Sequence, residues 1–248
     1  MSLARTALRL LVVELLKSKT LAEKRVYDSR MSDLAPDAFS EDAKATLIIY
    51  TEDDQGDALS EQNGGPPFKR MIDLVIEIGM VERTRAGEDG SYVVGYPDTD
   101  PRLEASIDFV EHQISAQFDS IEALPTLFRK LVRIWHHDRK RHGTEDASVK
   151  IAARLLTLTC EISDDQRPVI SSGAAPPTGN DRLPEPLRAV ANALPEASYG
   201  LQICASLAAA IGNPEAVTPF EGLGIVIDAG TGSEPSHIVE ADILLDQP

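Results

Sequence analysis

One stretch of alternation, residues 68 to 82, constrains the fold of this chain more than any other feature. Its apolar residues are Phe68, Ile72, Leu74, Ile76, Ile78 and Met80, and they are interleaved with Lys69, Asp73, Glu77 and Gly79. A period of two residues predicts a β-strand with one buried face. The strand is longer than the usual length of about five or six residues, so we expect it to project beyond a compact sheet.

Patterns elsewhere predict the elements that accompany this strand. Alternation and β-branched runs predict further strands at residues 46 to 51, 91 to 96 and 156 to 163. Apolar spacing of three and four residues predicts amphipathic helices at residues 3 to 17, from residue 101 onward, and at residues 124 to 140, where Trp135 would be buried. We therefore predict an α+β protein with a mostly antiparallel sheet and flanking helices.

The composition changes after residue 166. Residues 167 to 186 hold five prolines and two glycines, which predicts a linker or a long surface loop. It would separate an α/β domain at residues 1 to 166 from an acidic extension at residues 187 to 248. Helices and a candidate β-hairpin are predicted in this extension, the hairpin from residues 223 to 228 and 238 to 245.

The charge balance argues against two classes of partner. The chain has 24 basic and 40 acidic residues, a net charge of −16, so it is not expected to collect nucleic acid or anionic membranes by overall positive charge. No apolar run reaches the length of a membrane helix. Cys160 and Cys204 are too few for a disulfide framework and are expected to be small buried hydrophobic residues in a protein made in a reducing compartment.

Two clusters could in principle hold a metal ion. His136, His137 and His142 are close in sequence, but basic residues surround them and a solvated helix end is favoured. The acidic stretch at residues 52 to 57 lacks the order of an EF-hand, and a solvated turn is favoured. No nucleophile elbow, phosphate loop or metalloprotease motif is present, so we expect no cofactor and no enzymatic activity.

One local charge pattern differs from the rest of the chain. Residues 126 to 154 hold eight basic and three acidic residues in an otherwise acidic protein. They form either an ordinary exposed helix face or a basic ridge that meets the acidic loop of a neighbouring copy. The candidate interface or lumen residues are Glu52, Asp53, Asp54 and Asp57 in the loop, and Arg129, Arg133, Arg139, Lys140 and Arg141 on the ridge.

The order of elements over residues 3 to 163, together with Val-Tyr-Asp-Ser-Arg at residues 26 to 30, resembles the tail terminator (tail-completion) proteins of tailed bacteriophages. The resemblance implies a virion protein, made in the host cytoplasm, that forms a ring, commonly hexameric, at the head-proximal end of the tail tube. Its partners would be identical copies, the tail tube protein and the neck or head-tail connector protein. DNA would pass through without specific binding, past an acidic loop that repels phosphates. The segment from about residue 183 to 248 exceeds the minimal family fold.

Three alternatives stay open at this point. The chain could be another structural protein of the neck or baseplate, or a chaperone-like binding module that never enters a particle. A metal-dependent hydrolase would combine the acidic loop with the histidine cluster. Under the ring hypothesis, function would depend on exposed strand edges, where main-chain hydrogen bonds supply affinity and alternating side chains set the register.

Overall fold

The computed structural model describes residues 2–29, 44–60, 62–85, 92–95, 101–146, 149–168 and 175–212, and it has the predicted α+β architecture, a mostly antiparallel sheet flanked by helices. The strands predicted at residues 223 to 228 and 238 to 245 lie outside this range. The described helices are α1 (Ala4–Leu16), α2 (Pro101–Asp119), α3 (Ala123–Leu131), α4 (Leu187–Ala193) and α5 (Tyr199–Gly212). The described strands are β1 (Val26–Asp28), β2 (Lys44–Ser60), β3 (Asn63–Arg85), β4 (Tyr92–Gly95), β5 (Val132–Asp146) and β6 (Val149–Ser163).

Strand β3 is the centre of the sheet, whose order is β1-β2-β3-β6-β5. It pairs antiparallel with β2 on one side and with β6 on the other, so Ile76 lies between Ile49 and Leu156. Along β3 the apolar side chains from Ile72 to Ile78 that face the helices are 0% exposed. The alternation in the sequence therefore identified the central strand and its buried face.

Strand β3 also extends past the sheet at both ends, as its length predicted. Beyond Lys69, within the described residues, it pairs only with β2, and the two strands form an arm that turns between Ser60 and Asn63. At the other end, residues 82 to 85 pair with β4. Residues 63 to 67 read Asn-Gly-Gly-Pro-Pro, which predicts a turn, and this prediction is wrong because the strand already begins at Asn63.

The helix predicted at residues 124 to 140 is a helix in its first half only. Val132, which follows α3, has extended backbone with φ −126° and ψ 134°. From there the chain runs as β5, in which Val132 lies opposite Ile162 and Ile134 opposite Cys160. The helical interpretation is wrong because these β-branched residues favour a strand, which pairs with the free edge of β6 and extends its apolar face.

Helix α1 lies at the centre of the core rather than at its surface. The sequence analysis placed its apolar residues on one face, but its buried residues surround the helix: Ala4, Ala7, Leu8, Leu10, Leu11, Val12, Val13, Leu15 and Leu16. One side of α1 contacts β2 and β3, and further contacts join it to α2, α3, α4 and α5. A helix that is apolar on all sides is stable in water only when other elements cover it completely.

The two C-terminal helices supply part of that cover. Leu187 and Val190 of α4 and Cys204 of α5 are fully buried in the same apolar cluster as α1. Gly200 lets α5 approach closely, since a Cβ atom there would lie 2.8 Å from Leu194 Cδ1 and 3.6 Å from Leu10 Cβ. The described residues between 2 and 212 form one compact unit, so α4 and α5, predicted to belong to an extension, pack against the first helix.

Both cysteines are buried, as the sequence analysis predicted. Cys160 lies on the apolar face of β6 and Cys204 on α5, and each is 0% exposed. Burial, with a smaller contribution from the charge of Asp73, raises the pKa of the Cys160 thiol to about 12. Burial also raises the pKa of the Cys204 thiol to about 11. Both side chains are therefore neutral thiols that fill the core.

Candidate assembly interface

The sheet ends in two outer strands whose backbone groups can still pair. Within the described residues, β5 pairs with β6 alone, and β2 beyond Ile49 pairs with β3 alone, because the short β1 reaches only Leu47 to Ile49. The N–H and C=O groups on the free side of an outer strand are a template for another strand. Both edges can therefore extend the sheet.

The predicted acidic loop is the outer part of β2. Residues 50 to 60, here called the acidic edge, carry Glu52, Asp53, Asp54 and Asp57 and no basic residue. They pair antiparallel with β3, so the loop prediction is wrong. Polar side chains on both faces conceal the alternation by which a half-buried strand is recognised. Three of the acids are exposed, and only Asp54 is partly buried.

The predicted basic residues do not form one continuous ridge. Arg133 and Lys140 lie on residues 132 to 142 of β5, here called the basic edge, and are exposed. Arg139 and Arg141 lie on the same strand but bind carboxylates of α2. Arg129 lies on α3, where its guanidinium donates to two backbone carbonyl oxygens near the C-terminal end of α2. The basic edge therefore presents Arg133 to the outside, together with Lys140, whose ammonium pairs with Asp138 of the same strand.

A row of carboxylates on α2 pairs with Arg139, Arg141 and Arg154 within the chain. Glu104, Asp108 and Glu111 follow each other at helical spacing and share one face of α2. All three bind Arg154 of β6, the Glu104 contact being 2.8 Å between Oε2 and Nη2, and Glu111 also binds Arg139. The sequence analysis missed this cluster, although the spacing of the three acids was visible in the sequence.

Arg70 fixes the inner end of the acidic edge to the body of the protein. Its Nη1 donates to Asp54 Oδ1 at 2.7 Å and its Nε donates to Asp164 Oδ1 at 2.5 Å. Burial alone would raise the pKa of Asp164, but hydrogen bonds from Arg70 and from the backbone amides of Phe68 and Asp165 outweigh it and lower that pKa. The other edge acids are therefore presented on a strand that is held at one end by a largely buried ion pair.

Trp135 is exposed on the basic edge, in contrast to the prediction that it is buried. The pairing of β5 with β6 shifts register between Ile134 and His136, so Trp135 lies on a β-bulge, and half of its surface is exposed. The Arg133 guanidinium lies 4.0 Å from the ring centroid and Lys69 Nζ lies 5.5 Å from it. Glu161 accepts the indole N–H. The ring is therefore held in one position at the surface.

The structure does not bring the acidic and histidine clusters together. His136 lies opposite Thr159 and His137 opposite Leu158, and their ring centroids are 6.4 Å apart. Strands β3 and β6 separate them from the acidic edge, about 14 Å at the usual strand spacing. Within the described part of the chain, which does not include the His142 side chain, no group of three or more His, Cys, Asp or Glu residues could hold a metal ion.

Two further findings concern the class of protein. No protein-family model matches this chain, and no curated protein is similar enough to count as a match. No helix in the described ranges is both long and apolar enough to span a membrane.

Proposed function

We propose that this chain is a structural virion protein that joins identical copies into a ring, which closes the head-proximal end of a phage tail tube and connects it to the neck. The observation that carries this proposal is the pair of free sheet edges of unlike charge. The acidic edge has four acids and no base, whereas the basic edge presents Arg133 and Lys140. Unlike patches on one subunit favour contact between neighbouring copies and disfavour contact between like edges.

The two edges differ in charge, and this favours a head-to-tail contact between copies, which can close into a ring. A contact between two different patches of the same protein is head-to-tail, and it either closes into a ring or continues as an open filament. Within the sheet β5 runs antiparallel to β2, because each of the three neighbouring strand pairs from β2 to β5 is antiparallel. Copies arranged in the same orientation around an axis would therefore pair β5 with the next β2 as antiparallel strands.

The free acids suit either of two places in such a ring. Glu52, Asp53 and Asp57 lie on the free side of the sheet, which favours a role between copies. The family resemblance would instead place them around the bore, where they would repel DNA phosphates. Of the remaining alternatives, another neck or baseplate component fits the same edges, and only its binding partner would distinguish it. The separation of the acidic edge from the histidines does not favour a hydrolase.

The experiment is an exchange of charge between the two edges. Variant A carries Asp53→Lys and Asp57→Lys, which leave two bases against Glu52 on its former acidic edge, because Asp54 is bound to Arg70. Variant B carries Arg133→Glu and Lys140→Glu, which make its former basic edge acidic. Neither variant should form rings alone. An equal mixture should form rings in which A and B alternate, because every contact then joins unlike charges.

Native mass spectrometry and electron micrographs, with and without tail tubes, provide the measurement. A control variant with Asp181→Lys and Glu196→Lys changes the charge as much as variant A at exposed positions on neither edge, and it should assemble normally. Rings of A or B alone would contradict the role of the edges. Rings that ignore tail tubes would contradict the role at the tail.

A further inference from the structure

Each edge of the sheet carries an exposed apolar side chain as well as charge. On the basic edge Trp135 is 50% exposed and Ile134 is 39% exposed. On the acidic edge Leu59 is 64% exposed. Large apolar side chains at an interface contribute most of its affinity when they become fully desolvated, and charged neighbours mainly set specificity and rate.

Trp135 has the features of an interface anchor. The Arg133 guanidinium and Lys69 Nζ hold the ring on the open surface, and Glu161 accepts its N–H, so little further ordering is needed when a partner binds. Tryptophan and arginine are the residue types that most often dominate binding energy. Trp135 belongs to the outer strand, next to which a neighbouring strand would arrive, and its ring extends over the adjoining face of β6, where Glu161 accepts its N–H.

The acidic edge lies level with this anchor on the opposite side of the sheet. Across the strands, Gln55 is opposite Met71, Met71 is opposite Glu161, and Glu161 is opposite Arg133. Copies placed side by side in the same orientation would therefore bring the acidic edge of one near Trp135 of the next. The acids would meet Arg133, whose guanidinium lies on the ring at the outer strand, whereas Lys69 lies two strands further in, on β3.

We propose that Trp135 is the anchor of the contact between copies, and that it packs against the acidic edge of the next copy in an antiparallel arrangement. Asp53 and Asp57 of that copy, on either side of Gln55, approach Arg133. This inference rests on the proposed ring and adds the residue that holds it together. The occupant of the Trp135 surface is thus a second copy of this chain.

The test uses the fluorescence of this side chain, the single tryptophan of the protein. On assembly its emission should shift to shorter wavelength, and acrylamide should quench it less, because the ring leaves water. Trp135→Ala should weaken association about 30-fold or more, as truncation of a dominant interface residue does. Trp135→Phe should lose less, since it keeps an aromatic ring. The control is Phe109→Ala on α2, whose side chain is equally 50% exposed and which should assemble like the wild type.

The outcomes separate this inference from the ring itself. If rings form while the emission and quenching of Trp135 stay unchanged, the anchor assignment is wrong and the ring stands. If Trp135→Ala and Phe109→Ala weaken association equally, the assignment is also wrong. If the wild type forms no assembly with or without tail tubes, the proposed function itself fails.

Discussion

Replacing Arg70 by methionine tests whether the ion pair at the root of the acidic edge holds the fold together. The Arg70 side chain is 16% exposed, and its partners Asp54 and Asp164 are 11% and 6% exposed. Methionine has similar length but no charge, so two shielded carboxylates would lose their partner. Breaking a buried pair from one side costs about 3–5 kcal/mol, and we expect about 3 kcal/mol because the guanidinium keeps some contact with water.

Urea unfolding followed by circular dichroism measures this loss. With a denaturant slope of about 3 kcal/mol per molar for a chain of this size, the midpoint should fall by about 1 M. Arg188→Met is the matched control, since Arg188 pairs with Glu185 at the surface, where the side chains are 31% and 35% exposed. Such a pair contributes less than about 1 kcal/mol. Equal shifts for the two variants would refute the argument that the Arg70 pair is the stronger one.

The pH dependence of the unfolding free energy gives a second test of the ion pair between Arg70 and Asp164. The pKa of Asp164 is lowered in the folded protein from its usual value of 3.8, so ionised Asp164 stabilises the fold above that pH. This contribution is lost as the pH falls through the folded value, whereas the Arg70→Met variant has already lost the hydrogen bond from Arg70 and keeps only those from the backbone amides of Phe68 and Asp165. The difference in unfolding free energy between wild type and variant should therefore narrow below pH 3.8. A constant difference would show that Asp164 does not carry the effect.

Three further predictions concern the core. Cys160 and Cys204 should react with a thiol reagent only as fast as the protein unfolds, because both thiols are buried and burial raises their pKa. Rapid labelling of the native protein would contradict this. Leu187→Ala should lower the unfolding free energy by about 3 kcal/mol, as Leu10→Ala should, because both side chains are fully buried in one core. In urea unfolding, a much smaller loss for Leu187 would show that α4 is not part of that core. Gly200→Leu should lower the free energy of unfolding by about 2 kcal/mol, because a side chain at this position would collide with Leu194 and α1. An unchanged midpoint in thermal or urea unfolding would disprove that contact.

The sequence predicted the parts of the fold in which burial differs sharply from one residue to the next. The alternation from Ile72 to Ile78 identified the central strand, and the alternation from Leu156 to Ile162 identified its neighbour β6. Helix α2 was recognised from Pro101 onward by a capping signal and an apolar stripe. In each case the residues on one face are fully buried in the core while most of those on the other face are less buried, so the period of the pattern is unambiguous.

The candidate site was less predictable because its residues do not have one buried face. The acidic edge is polar throughout, and only its pairing with β3 makes it a strand. Trp135 fits the apolar stripe of α3 by spacing, yet the bulge in β5 exposes it. Whether Arg139 and Arg141 are free depends on α2, which lies elsewhere in the sequence. Residue types identified the two charged segments, and tertiary packing decided which charges remain available.

The central position of α1 has a consequence during synthesis of the protein. Its C-terminal cover begins at Leu187, roughly 170 residues after α1 ends, and a ribosome adds about 5–20 residues per second. Helix α1, whose buried residues surround it, therefore stays partly uncovered for on the order of ten to thirty seconds before α4 and α5 leave the ribosome. During that interval the nascent chain exposes an apolar surface. The yield of folded protein in the cell should therefore depend on chaperones that bind the first helix until translation ends.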